Sequence, residues 1–154
     1  MKIAIEAQRI FRPDKHGMDF VALETIRELQ KRNDGNEYYI IVAPGKDHCL
    51  EESANLSIVE VVCPTYPLWE QIALPLAVKR LGADLLHCTS NTAPLCCPVP
   101  LVLTLHDIIY LEPRQQRSPS LYQEMGRHYR RLTVPRILKK CRKIITVSHF
   151  ERNR

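Results

Sequence analysis

The sequence predicts an α/β domain with a doubly wound, mostly parallel sheet. Six strand-like runs occur along its 154 residues, and most are separated by spacers of helix length. The run Leu101-Val102-Leu103-Thr104-Leu105 is apolar or β-branched throughout, as expected of a strand covered on both faces. A chain of this size buries roughly 70% of its unfolded surface. Its 45% hydrophobic and 25% charged residues are ordinary for a globular domain.

The elements follow in order. Ile3–Ala7 is the first strand, ending at Gln8-Arg9. Met18, Ala22, Ile26 and Leu29 share one helical face and predict a helix over Met18–Arg32. Asn33-Asp34-Gly35-Asn36 stops it. Tyr38–Val42 is the second strand, and a short helical piece is expected near Asp47–Ala54. Leu56–Val62 is the third strand, followed by the turn Cys63-Pro64-Thr65-Tyr66-Pro67. Trp69, Ile72, Ala73 and Leu76 have helical spacing, and Pro75 should kink or divide that helix. Ala83–Cys88 is the fourth strand. Residues 89–100 contain Pro94, Pro98 and Pro100 and read as a loop. After the fifth strand, Leu101–Leu105, a long helix is expected from Ser118-Pro119, with Pro135 breaking it. Lys143–Val147 is the sixth strand. Ser148-His149-Phe150-Glu151 then has the spacing of a capping box. A new helix starting just before Arg154 leads to the expectation of a piece cut from a longer protein.

No run approaches the ~20 apolar residues of a membrane span, and Met1–Glu6 leads directly into a strand without a signal-peptide core. A cytoplasmic location is therefore expected. The cysteines Cys49, Cys63, Cys88, Cys96, Cys97 and Cys141 show no C-x-x-C or finger-like spacing, so no metal site is expected. The net charge of +5 is unevenly distributed. Residues 1–113 carry −5 and residues 114–143 carry +9. Arg127, Arg130, Arg131, Arg136, Lys139, Lys140, Arg142 and Lys143 belong to that basic segment. Tyr122, Met125, Tyr129 and Leu132 interleave with these cations at helical spacing. Packing of that apolar face on the sheet is expected, with a solvated basic face. The functional alternative is an anionic membrane surface met by residues 127–143. No recognition motif accompanies the charge, so nucleic acid is not expected as a partner.

Candidate chemistry gathers where strands end, because the carboxyl edge of an open parallel sheet faces the ligand crevice. His106-Asp107 closes the most apolar strand. Histidine switches protonation near neutral pH and bonds sugar hydroxyls or phosphate oxygens. Thr89-Ser90-Asn91 leaves the fourth strand with hydroxyl and amide groups suited to polyols. The first loop holds Arg9, His16 and Gly17 just before a helix start, where backbone N–H groups favour anions. It lacks G-x-G-x-x-G, and no acid ends the second strand, so a dehydrogenase-type cofactor site is not expected. Glu70 and Gln71 read as the start of a helix.

These residues together resemble the N-terminal half of a GT-B glycosyltransferase of retaining family four. The likeness rests on the opening strand with its Gly17 loop, Trp69-Glu70-Gln71 before Ala73-Leu74-Pro75, and Gly82-Ala83-Asp84-Leu85-Leu86-His87. It continues through Pro100–Asp107 and Lys143–Ser148. The resemblance implies an acceptor-side Rossmann-like domain over residues 1–154, with a donor-binding C-terminal domain missing. Such a fragment should be inactive alone. It also implies a nucleotide-sugar donor as co-substrate, no separate cofactor, and a sugar or lipid-linked sugar acceptor. By the resemblance, Gly17 lies near the donor diphosphate and His106 near the transferring sugar. Family members often carry two glycines in the first loop, where this chain reads His16-Gly17-Met18. A non-catalytic α/β binding or regulatory module, or a peripheral membrane domain, is the competing expectation.

Overall fold

In the computed structural model, which describes residues 1–113 and 120–153, β1 (Lys2–Glu6) occupies the middle of a six-stranded sheet. β2 (Glu37–Val42) and β3 (Leu56–Glu60) extend it on one side. β4 (Leu85–Cys88), β5 (Leu101–Leu105) and β6 (Lys143–Thr146) extend it on the other. Every pairing is parallel, in the order β3-β2-β1-β4-β5-β6. This is the doubly wound α/β arrangement, with its topological switch between the loops that leave β1 and β4.

Alternation along β1 divides the core. Ile5 packs with Ala22, Leu23 and Ile26 of α1 (Gly17–Gln30) on one face. Ala4 packs with Trp69, Leu74 and Val78 on the other. The segment supplying those residues begins as α2 (Tyr66–Leu68) and widens into a π-helical turn over Trp69–Ala73. It resumes as α3 (Leu74–Leu81). Pro75 stands in the first turn of α3, where its missing N–H is harmless, and the Leu74 N–H bonds back to the Trp69 carbonyl. The proline thus divides the helix as expected, with a π turn as the joint. Gly82, at φ 64°, ends α3 in the left-handed conformation that glycine favours.

Three expectations are corrected. Asp47–Ala54 forms no helix, because its backbone groups are bonded elsewhere. The Asp47 N–H donates to the Phe11 carbonyl, and Arg27 and Gln30 of α1 donate to the Cys49 and Glu51 carbonyls. Pro135 does not break its helix, since α4 (Leu121–Leu138) runs through it. Val134 and Ile137 on either side are fully buried. Each contributes ~1.5–3 kcal/mol by burial, enough together to offset the ~3 kcal/mol cost of an internal proline. The packing face of α4 is the third correction. Tyr122, Met125 and Leu132 point outward, 79%, 64% and 61% exposed, while Val134 and Ile137 face the core. The expected helix start at Ser118-Pro119 lies outside the described residues. At the C-terminal end, the Ser148 Oγ accepts the Glu151 N–H at 3.2 Å and starts α5 (His149–Arg152).

Candidate functional site

At the carboxyl edge, β5 delivers His106 beside the loop that leaves β4. The His106 Nε2 lies 2.7 Å from the Thr89 carbonyl oxygen. A carbonyl can only accept, so Nε2 carries a proton, and in the neutral ring Nδ1 is the acceptor. The His106 N–H donates to the Asn91 Oδ1 at 2.6 Å. Asn91 holds φ 67°, a left-handed conformation that asparagine tolerates better than most side chains. Asp107 does not orient the ring. Its Oδ1 accepts the Ile109 N–H at 3.2 Å and starts the 3-10 turn Ile109–Leu111.

Thr89, Ser90 and Asn91 are buried. The Thr89 Oγ1 donates to the Glu6 carbonyl at 2.8 Å. Thr89 and Asn91 therefore build the platform under His106. On the other side of the switch, His16 caps α1 and its N–H donates to the Asp19 Oδ2 at 2.9 Å. The Arg9 Nε lies 3.7 Å from the Asp19 Oδ1, so the Arg9 guanidinium is drawn to the first turn of α1. Gly17 has no left-handed φ, and a Cβ there would meet nothing within 4 Å. Neither backbone conformation nor packing among the described residues demands glycine at this position.

Sequence reasoning missed two buried carboxyls beneath these loops. Glu6 ends β1, and its oxygens accept the N–H groups of Gln8 (2.9 Å) and Thr89 (3.3 Å). Burial pushes its carboxyl up to about 7 against those two bonds, and the nearby Glu70 adds to the shift. Glu70, on the π turn, is fully buried. Its Oε2 accepts from the hydroxyls of Tyr66 (2.7 Å) and Thr92, and its Oε1 from that of Tyr129 (2.6 Å) on α4. Burial raises this carboxyl too, and the three hydroxyls oppose the shift. The Gln71 Nε2 supports Tyr129 at 2.8 Å. A signal existed in the sequence. Strand alternation puts Glu6 on the face of Ala4, and Tyr66 and Glu70 are four residues apart on a helix. His87, inside the sheet, bonds the Thr104 Oγ1 at 2.7 Å, and burial lowers its pKa to about 4.

A separate cavity of about 470 Å³ lies at the opposite edge, where β5 and β6 begin, lined by Leu95, Cys97, Val99, Leu101, Lys140 and Cys141. It contains none of the residues around His106.

The sequence profile of Glycosyltransferase Family 4 matches residues 16–154. The chain belongs to glycosyltransferase family 4. The match takes in Gly17, the Trp69-Glu70-Gln71 turn, the loop after β4 and His106 together. No curated protein sequence matches this family 4 chain. Among solved structures, it is similar to a dTDP-glucose 4,6-dehydratase from Bacillus anthracis determined in complex with NAD. That likeness has a TM-score of 0.53 at 9% identity, covering 95% of this chain and 53% of the other. The family 4 chain thus spans about half the length of that protein, and the likeness is one of fold. No helix among the described residues is long and apolar enough to cross a membrane.

Proposed function

We propose that this chain is the acceptor-side half of a retaining GT-B glycosyltransferase, transferring a sugar from a nucleotide-sugar donor in surface polysaccharide or glycolipid synthesis. The observation that carries this reading is the His106 ring, pinned by Nε2 to the Thr89 carbonyl at the carboxyl edge. Its Nδ1 is left to accept from a sugar hydroxyl. In this reading His106 positions and polarises the transferring sugar and is not a nucleophile. The first turn of α1, with Gly17 open on its surface and Arg9 beside Asp19, provides N–H groups and a partial positive charge for the departing diphosphate. The reaction then proceeds by electrostatic stabilisation of that diphosphate and of an oxocarbenium-like sugar.

The test is transfer of label from a panel of nucleotide sugars to sugar and lipid-linked acceptors by the full-length enzyme carrying the donor-binding half, in wild type and His106→Ala. Loss of about 100-fold or more with the fold intact is expected, the size of effect seen on removing a polarising group. Near-normal turnover in the variant would sink the proposed role of His106.

The outward face of α4 favours an anionic membrane as the acceptor's location. Tyr122, Met125 and Leu132 are exposed beside His128, Arg131, Arg136 and Lys139. Apolar side chains among cations are the composition of an interfacial helix. Sedimentation with anionic vesicles at low salt, loss of binding at about 0.5 M salt and none with neutral vesicles are the expected results. Absence of binding at low salt removes this part of the reading.

A further inference from the structure

The segment Thr89–Thr92 is buried along its whole length. It carries both groups that hold His106, the Thr89 carbonyl on the ring and the Asn91 Oδ1 on the backbone N–H. Its own position is set from below by Glu6. The Glu6 Oε2 accepts the Thr89 N–H, and the Glu6 backbone carbonyl accepts the Thr89 hydroxyl. The Glu6 Oε1 accepts the Gln8 N–H in the loop that leaves its own strand. A carboxyl has an oxygen for each of the two N–H groups. An amide side chain has only one, and would present its NH2 to the other donor.

We propose that Glu6 is a positioning residue for His106, holding Thr89 so that its carbonyl selects the Nε2–H tautomer and turns Nδ1 toward the crevice. What Nδ1 does there rests on the function proposed above, whereas the tautomer does not. The role suits a group that is buried, touches no ligand-facing surface, and bonds the loops on both sides of the switch point. Glu70 holds the far end of the same segment through the Thr92 hydroxyl, so Glu6 acts specifically at the Thr89 end.

The test is the tautomer itself, read from imidazole 15N chemical shifts and long-range 1H–15N couplings of the labelled 154-residue chain. Wild type is expected to show the single Nε2–H pattern at His106. In Glu6→Gln the other tautomer should rise about tenfold, the ratio expected on losing one ordinary hydrogen-bond preference. His128, exposed on α4 and sharing no hydrogen bond with the Thr89–Thr92 segment, is the internal control and should keep its wild-type pattern. A merely structural Glu6 lowers stability but leaves the His106 tautomer of the folded molecules unchanged, and that result overturns the proposal. If Glu6→Gln does not fold, Thr89→Val removes the hydroxyl bond to the Glu6 carbonyl at similar shape and is read by the same two outcomes. Sugar transfer that is absent from the full-length enzyme while the tautomer behaves as expected counts against the proposed function alone.

Discussion

At the scale of single residues, the tightest constraint lies away from the site. A Cβ on Gly45 would stand 2.3 Å from the Phe11 carbonyl oxygen, a contact with backbone that has no easy escape. Gly45→Ala should therefore destabilise the chain by about 2 kcal/mol or more, as overpacking does, and urea denaturation measures it. The Glu70 cluster makes a second prediction. Tyr129→Phe removes the 2.6 Å bond to the Glu70 Oε1 and leaves the Gln71 amide, at 3.4 Å, as its remaining partner there. A loss of ~1–2 kcal/mol is expected, because a buried carboxyl oxygen then lacks a good donor. Thr133→Val on the same helix removes only a hydroxyl bonded to the Tyr129 carbonyl and should cost less than Tyr129→Phe.

At the scale of elements, α4 has two unlike halves. Its C-terminal half carries Val134 and Ile137 into the core, with Leu138 partly buried beside them. Its N-terminal half is held by polar contacts. Tyr129 reaches Glu70, and the Arg127 guanidinium donates to the carbonyls of Tyr110 and Glu112. Local opening follows apolar contact density. Amide hydrogen exchange should therefore be faster over residues 121–132 than over 133–138, and Arg127→Ala should widen the difference. Equal protection in both halves would contradict this division of the helix. The same arrangement explains why helical periodicity misled at this element. Tyr122, Met125, Tyr129 and Leu132 do share a face by spacing, but only Tyr129 turns inward, to Glu70, while Tyr122, Met125 and Leu132 are left exposed.

At the scale of the whole molecule, buried ionisable groups set how stability responds to pH. Glu6 titrates near 4.5 unfolded and at about 7 folded. Between those values the native state holds the extra proton, so stability falls as pH rises, by on the order of 3 kcal/mol in total. His87 acts in the opposite direction. Its pKa falls from 6.5 to about 4 on folding, so stability is lost as pH drops through that range. The two slopes cancel between about 4.5 and 6.5. Above 6.5 the Glu6 carboxyl still lowers stability as pH rises. Thermal melts should show a fall of roughly 0.5–1 kcal/mol from pH 6.5 to 7.5. Glu6→Gln should reduce that fall, and an unchanged slope would mean that Glu6 ionises normally.

Six parallel strands, the α1 helix, the proline joint near Pro75 and the His106 edge were all legible in the amino-acid sequence. Each follows from periodicity, turn residues or strand ends, which are local properties. Family membership was legible as well, in the order of short segments from Gly17 to Ser148. The tertiary structure alone decided which polar groups meet. Glu6, Glu70, Thr92 and Tyr129 come from four distant segments, and nothing in the spacing along the chain records their contacts. Burial also decided that Thr89 and Asn91 support His106 from beneath, and that Asp107 turns away to cap a turn. A strand ending in histidine marks where a site can be. The carbonyl its ring meets determines which nitrogen carries the proton, and that partner arrives only when β4 and β5 lie side by side.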